Sequence, residues 1–346
     1  MKIWKNTAMI KILIPMARLY RWIMQLRNRL YDQGVLKTYS VSTKVISVGN
    51  ITVGGTGKTP VVEAIAAYFL MREKRVAIQS RGYGRSGRGS VVVSDGKRIL
   101  ATSEQSGDEP FMLANNLPGA IVMVGEDRYE TVLQIHEKFK PDVIILDDAF
   151  QHRRIHRDLD IVTVDTSSPW GNGQCLPAGP LRESPAGLQR AHLIVLTRSD
   201  DSEKTAEART AVSNTGTKAM MTSAAHEPVE WIHYKSRKAQ PLNFLKHKQV
   251  ISIAGIGNPD SFLTTLKGLG VHPMEFIRFP DHHRYKQHDM DYINSAGVKH
   301  SAMAIITTEK DGARLHSVDG LDLPVYCLKI RCAFHDPSVL EQLLDG

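Results

Sequence analysis

The segment Gly49-Asn50-Ile51-Thr52-Val53-Gly54-Gly55-Thr56-Gly57-Lys58-Thr59-Pro60 constrains this chain more than any other. An apolar run, Val45-Ile46-Ser47-Val48, precedes it, and a helical apolar run from Val61 to Leu70 follows. Strand, glycine-rich loop and helix in that order form the layout that cradles nucleotide phosphates. Glycines bring backbone N–H groups close to an anion with no Cβ in the way. The following helix aims its positive end at the same point. In this pattern Gly54, Gly55, Thr56 and Gly57 wrap the phosphates, Lys58 reaches the β- and γ-phosphates, and the Thr59 hydroxyl holds Mg²⁺. ATP or GTP chemistry is expected. One position departs from the general pattern: five residues before Gly57, where a glycine is usual, stands Thr52.

The rest of the chain supplies a fold for such a loop. Strands are expected at 44–48, 75–80, 90–93, 120–124, 142–147, 159–164 and 192–197, and helices at 58–72, 108–116, 126–138 and 201–212. Alternation of this kind predicts a parallel sheet covered by helices on both faces, an α/β domain of the P-loop NTPase type. The strands read as continuous apolar runs, as they do when both faces are covered. Residues 213–248 are more polar, and a boundary is expected near 228. A smaller α/β domain follows, with strands at 249–254, 274–279, 303–307 and 325–331 and helices at 259–269 and 288–297. The domains predicted are an N-terminal helix over 1–36, a P-loop domain over 37–228, a smaller domain over 229–332 and a C-terminal helix over 333–346 that returns to the first domain. Residues 229–234 and 325–331 are expected to pair as a two-strand hinge.

Charge narrows the partners. The net charge is +8, but seven basic residues (Lys2, Lys5, Lys11, Arg18, Arg21, Arg27 and Arg29) precede the first acidic one, Asp32. The remainder is near neutral, which argues against a nucleic-acid-binding surface. In the same segment Met9, Ile12, Met16, Leu19, Ile23, Leu26 and Leu30 repeat at steps of three and four, the period of an amphipathic helix. No apolar run is long enough to span a bilayer. Two readings stand: a helix lying on an anionic membrane, with Trp4 and Trp22 at the headgroups, or one packed on the protein's own core. Cys175, Cys327 and Cys332 form neither a metal-ligand spacing nor a disulfide framework.

Other clusters carry chemistry. Val143-Ile144-Ile145-Leu146-Asp147-Asp148 ends an apolar strand in two carboxylates, where a second Mg²⁺ anchor sits in phosphoryl-transfer sites. Gln151 and its neighbours His152, Arg153 and Arg154 could contact phosphate. Asp108, in Gly107-Asp108-Glu109-Pro110, suits a helix N-cap from spacing alone. Phe279-Pro280-Asp281-His282-His283-Arg284-Tyr285 suits acid–base work with a carboxylate. Thr307-Thr308-Glu309-Lys310-Asp311 reads as a strand-to-helix loop.

Together these motifs resemble the tetraacyldisaccharide 4′-kinase (lipid A 4′-kinase) family. The resemblance runs in order through Gly49 to Pro60, Ser80-Arg81-Gly82-Tyr83-Gly84-Arg85, Gly107 to Pro110, Asp147-Asp148-Ala149-Phe150-Gln151-His152, Leu176-Pro177-Ala178-Gly179-Pro180-Leu181-Arg182-Glu183, Phe279 to His283 and Thr307 to Asp311. It makes Thr52 a feature of the family's own loop. It implies transfer of phosphate from ATP-Mg²⁺ to the 4′-hydroxyl of tetraacyldisaccharide 1-phosphate, giving lipid IVA. It implies a protein peripheral to the cytosolic face of the inner membrane; a monomer with no nucleic-acid partner is expected. Asp108 would accept the hydroxyl proton, His282 would support it, and Arg128, Arg182 and Glu183 would position ligands. Base and ATP would come from different lobes, completed by closure. The competing reading is a P-loop NTPase acting as a protein-partnered switch or metallochaperone; another is a membrane scaffold whose phosphate loop binds no nucleotide.

Overall fold

The computed structural model describes Trp4, residues 7–315 and residues 319–345; Lys2 and Lys5 of the basic segment lie outside the described residues. In chain order the elements are α1 (Thr7–Asp32), β1 (Lys44–Gly49), α2 (Lys58–Leu70), β2 (Val76–Ser80), β3 (Val91–Asp95), α3 (Ser103–Ser106), α4 (Asp108–Asn116), β4 (Ile121–Val124), α5 (Arg128–Phe139), β5 (Val143–Asp147), β6 (Leu159–Asp165), β7 (Leu193–Thr197) and α6 (Ser202–Ser213). They continue with β8 (Met220–His233), β9 (Ala239–Gln240), β10 (Val250–Ala254), α7 (Pro259–Gly268), β11 (Glu275–Arg278), α8 (Gln287–Lys299), β12 (Ala304–Thr308), α9 (Glu309–Leu315), β13 (Val325–Phe334) and α10 (Pro337–Asp345).

The chain forms two compact units. The first holds the residues up to Arg81, then Gly119–His226 and Cys332 onward; the second holds Gly82–Pro118 and Glu227–Arg331. Residues 82–118 thus interrupt the segment expected as one P-loop domain. Their helix α4 packs on α9, far along the chain.

In the first unit the strands run in the order β4-β2-β5-β1-β6-β7-β8, all parallel. Every residue of β2, β4, β5 and β7 is buried, which explains the unbroken apolar runs. Strand β1 lies between β5 and β6, with Val48 opposite Asp147 and Gly49 opposite Val162. The register therefore brings the Asp147 carboxylate beside the loop that leaves β1. Helices α5 and α6 start on side-chain caps: Asp127 accepts from the Tyr129 and Glu130 amides, Asp201 from the Lys204 amide. α10 belongs to this unit; Tyr68 donates to Asp345 at 2.5 Å and Lys44 to the Leu344 carbonyl at 2.8 Å.

In the second unit the order is β11-β10-β12-β13-β8, with β9 antiparallel to β8. Strands β11, β10, β12 and β13 are mutually parallel. Alternation splits the core across this sheet. Ile251, Ile253 and Ile305 meet Met290 and Ile293 of α8, whereas Val250, Ala304 and Ile306 meet Phe262 and Leu266 of α7. The segments 229–234 and 325–331 pair, with Tyr234 N–H on the Val325 carbonyl at 3.1 Å and Lys329 on Glu230 at 3.4 Å.

Helix α1 settles the packing question in its own way. Met9, Ile12, Met16, Leu19, Ile23 and Leu26 are all exposed, as is Trp22, while Leu30 is half-buried. The side that packs holds Ala17, buried, and Tyr20, against the core around Phe150 and Leu181. Lys11, Arg18, Arg21 and Arg29 are exposed. No helix among the described residues is long and apolar enough to cross a membrane.

Candidate active site

In the first unit the site is built around the end of β1 and the start of α2. Gly57, left-handed at φ 77°, precedes α2 and offers no side chain to cap it, in contrast to the Asp caps of α5 and α6. The first-turn N–H groups of α2 are thus left for an anion. Gly54 has φ 112°, and a Cβ added at Gly54 or Gly55 would meet no atom within 4 Å, so the outer face of the loop is open. Behind it the loop is fixed. Thr56 Oγ1 pairs with Thr163 Oγ1 at 2.7 Å and accepts from Asn50 at 2.9 Å, and Thr197 donates to the Thr56 carbonyl at 2.8 Å. Thr52, the departure from the general pattern, bridges to Leu181, and Val53 N–H reaches the Pro180 carbonyl at 2.8 Å. A residue that pairs with a neighbouring segment stands where the usual loop has glycine.

Around the loop stand charged groups in ordered partnerships. Ser80 donates to Asp147 Oδ2 at 3.0 Å. Asp148, at φ 53°, takes Arg182 at 2.8 Å and Lys58 at 3.6 Å on Oδ1. Burial would raise the Asp148 carboxyl, but Lys58 and Arg182 outweigh it and hold it below the usual carboxylate range. Arg128 is buried; it donates to Gln79 at 2.7 Å and to the Asp148 carbonyl at 3.0 Å. Gln151 bridges the Asn50 carbonyl (2.7 Å) and Glu183 (2.9 Å). Glu183 is 2% exposed and also takes Arg190 at 2.9 Å and Asn28 of α1 at 3.0 Å. Its oxygens are therefore engaged in orienting neighbours. Thr59, Asp147 and Asp148 offer hard oxygen donors, the set that suits Mg²⁺.

In the second unit Asp108 is the first residue of α4, not its cap, which is Gly107. Arg314 Nε donates to Asp108 Oδ2 at 2.6 Å, and His282 Nδ1 lies 3.6 Å from the same oxygen. Burial pushes the Asp108 carboxyl up, yet His282 and Arg314 together hold it below its ordinary value. His283 turns elsewhere: it pairs with Asp289 at 3.0 Å and stacks on Phe279. Of the two adjacent histidines, His282 is the one beside Asp108. Tyr83 meets the His282 ring edge-on at 5.5 Å. No cluster of three His, Cys, Asp or Glu suited to a metal occurs among the described residues.

These are the parts of a phosphotransferase, and the relatives agree. The family model for tetraacyldisaccharide-1-P 4′-kinase matches residues 9–346. The chain belongs to the tetraacyldisaccharide 4′-kinase family. The tetraacyldisaccharide 4′-kinase of Syntrophus aciditrophicus is 37% identical over 366 residues, covering 100% of this chain and 98% of that one. That of Geobacter metallireducens is 38% identical over 341 residues, 98% of each. The crystal structure of LpxK from Aquifex aeolicus in complex with ATP superposes with a TM-score of 0.81 at 34% identity, covering 97% of this chain and 98% of that one. The family's fold is thus that of this chain.

Several residues in these networks escaped sequence reasoning. Arg314 has no motif of its own, although it stands three positions after Asp311, one turn along a helix. Ser80 was visible only as the start of a loop. Asn28 lay within a helix read for its apolar face. The segment Thr307 to Asp311, expected as a loop, is no loop: β12 ends at Thr308 and α9 begins at Glu309.

Proposed function

We infer that this protein is an ATP-dependent kinase that phosphorylates the 4′-hydroxyl of tetraacyldisaccharide 1-phosphate, a step of lipid A biosynthesis. The observation that carries the reading is the full-length family match in a chain whose phosphate loop is open and uncapped. Phosphoryl transfer asks the protein mainly to position reactants and neutralise charge. The amides from Gly54 to Thr59 and the Lys58 ammonium would bind the ATP phosphates. Thr59, Asp147 and Asp148 would hold Mg²⁺, which neutralises phosphate charge. Arg128 orients the Asp148 backbone and Arg182 its carboxylate, while Gln151 and Glu183 hold the segments that carry them.

The step itself balances simply. The 4′-oxygen bonds to the γ-phosphorus as the bond from that phosphorus to the β,γ-bridging oxygen breaks, and the electron pair leaves with ADP. The hydroxyl proton passes to Asp108, already ionised at neutral pH, with His282 beside it to support the carboxylate. An acylated acceptor stays in its bilayer. The outward apolar row of α1, with Arg18, Arg21 and Arg29 exposed beside it, supports docking on the anionic cytosolic face of the inner membrane as a peripheral monomer.

The test is direct. The purified protein with ATP, Mg²⁺ and tetraacyldisaccharide 1-phosphate in detergent micelles should yield the 4′-phosphorylated lipid by mass spectrometry. ATP hydrolysis without lipid product, stimulated by a protein partner, would instead support the switch reading. Docking is tested by co-sedimentation with phosphatidylglycerol-containing vesicles: Ile12→Asp with Trp22→Asp should shift the protein to the supernatant, and unchanged sedimentation would remove α1 from that role.

A further inference from the structure

The chemistry above leaves no role for the start of α9, yet that helix sends its one buried guanidinium to the proposed base. We infer that Arg314 is a positioning residue for Asp108 and His282: it occupies Asp108 Oδ2, so that Oδ1 is the oxygen offered to the acceptor hydroxyl, and it holds the His282 ring beside that carboxylate. The inference rests on the reading of Asp108 as the base.

Arg314 is 6% exposed, and each of its nitrogens is committed. Nε donates to Asp108 Oδ2 at 2.6 Å; Nη1 donates to the Gly255 carbonyl at 2.7 Å and to Asp311 Oδ1 at 3.1 Å. Nη2 stands 3.3 Å from His282 Nδ1. Nδ1 thus lies between two partners, the guanidinium, which only donates, and Asp108 Oδ2, which only accepts, so the ring is held by Arg314 and Asp108 together. The support is rigid in turn. Asp311 is wholly buried, and its oxygens take the Gly255 amide (3.1 Å), Tyr285 (3.0 Å) and Thr308 (2.7 Å). Lys310, the preceding residue of α9, pairs with Glu109 on the same α4 turn as Asp108. Two successive anchors therefore tie α9 to the start of α4. An arginine held by a planar fork at this many points orients its carboxylate in a way a flexible ammonium does not.

Charge adds a second effect of the same contact. The titratable groups facing Asp108 are His282 and Arg314; those facing Arg314 are Asp108, Asp311, Tyr285 and His282; Asp281 lies 3.9 Å from His282 Nε2. Removing the guanidinium takes away a cation that favours ionised Asp108, so the carboxyl would titrate at a higher pH.

The experiment is a pH–rate series on the full-length enzyme with saturating ATP-Mg²⁺ and the lipid acceptor, for wild type, Arg314→Gln, Arg314→Lys, Asp108→Asn and the Asp108→Asn/Arg314→Gln pair. Arg314→Gln should lower kcat about 10²-fold, the scale of a small misplacement of a reacting group. KM for ATP should stay within about twofold, and the acid limb of kcat/KM should move to higher pH. Arg314→Lys keeps the cation: its acid limb should match wild type while kcat falls about tenfold. In the Asp108→Asn background the Gln change should add less than about twofold, since it acts through the missing carboxylate. An Arg314→Gln enzyme with wild-type kcat and pH profile overturns the inference, as does one equally damaging in both backgrounds. If the Gln variant does not fold, the Lys variant decides, and wild-type kcat in it overturns the inference. Near-full activity in Asp108→Asn instead overturns the base assignment, and the inference with it; a dead Asp108→Asn beside an unaffected Arg314→Gln overturns the inference alone.

Discussion

Two helix starts carry the proposed chemistry, and they use one device in opposite ways. Both α2 and α4 follow a glycine with positive φ, Gly57 at 77° and Gly107 at 90°. The positive end of α2 has no anion of its own: Lys58 and Thr59 follow, and the bare amides wait for a ligand's phosphates. The positive end of α4 is filled from within by Asp108 and Glu109, the first two residues of the helix. A helix start favours negative charge by about 0.3–1 kcal/mol at exposed sites. At α2 that preference is left for a ligand, whereas at α4 it adds to His282 and Arg314, which hold the Asp108 carboxyl below its ordinary value. The first start is thus made of backbone and should fail when the backbone is changed; the second is made of side chains and should fail when they are.

The largest effect falls on the second start. Asp108→Ala should lower turnover by about 10² to 10⁴, the range for losing a positioned acid–base group. ATP binding, followed with a fluorescent analogue, should hardly move. Turnover near wild type would break the comparison at once.

Next comes the buried carboxylate beside the first start. Glu183→Gln leaves Arg190 without its partner in a site where Glu183 is 2% exposed. Removing one member of a buried pair costs about 3–5 kcal/mol, and calorimetry should find the melting transition lowered accordingly. A variant as stable as wild type would show that the Asn28, Gln151 and Arg190 contacts are replaceable.

Gly57→Ala tests the backbone claim. Its Cβ would lie 2.8 Å from His226 Nε2, at a φ of 77° that L-residues resist. Such a change costs about 1–2 kcal/mol from the left-handed conformation alone, and nucleotide affinity should drop more than thermal stability. The reverse ordering would mean that the loop is built for packing rather than for phosphate.

The last effect concerns pH. Burial and the charge of Arg128 push His152 down to about 4. The unfolded ring titrates near 6.5, so between those values the unfolded state binds the extra proton. Stability is therefore complete above pH 6.5 and declines as pH falls toward 4. His152→Gln should flatten that part of the curve in urea titrations, and an unchanged slope would assign the loss to other groups.

The same contrast explains what could be read before the fold was seen. The alternation of apolar runs located β1 to β7 to within one or two residues, as with 142–147 for Val143–Asp147. Buried strands announce themselves through composition, and a phosphate loop through contiguous residues. The carboxylate start is different. Asp108 and Arg314 stand 206 positions apart, and no local pattern joins them. Of β8 only the part from 229 onward was expected as a strand, for another reason. It runs through exposed Glu227, the proline Pro228 and half-buried Glu230, so its apolar signal is interrupted. The apolar row of α1 was legible, but a periodic row is compatible with burial against protein or with facing outward; only exposure separates the two.

That outward row has a consequence for how rate depends on the environment. A kinase docked as proposed meets its acceptor by lateral diffusion within a surface. Turnover would then follow the mole fraction of acceptor among the surrounding lipids, not its bulk concentration. Adding inert lipid to mixed micelles at fixed total acceptor would slow the reaction by dilution in two dimensions, while adding water would leave it unchanged.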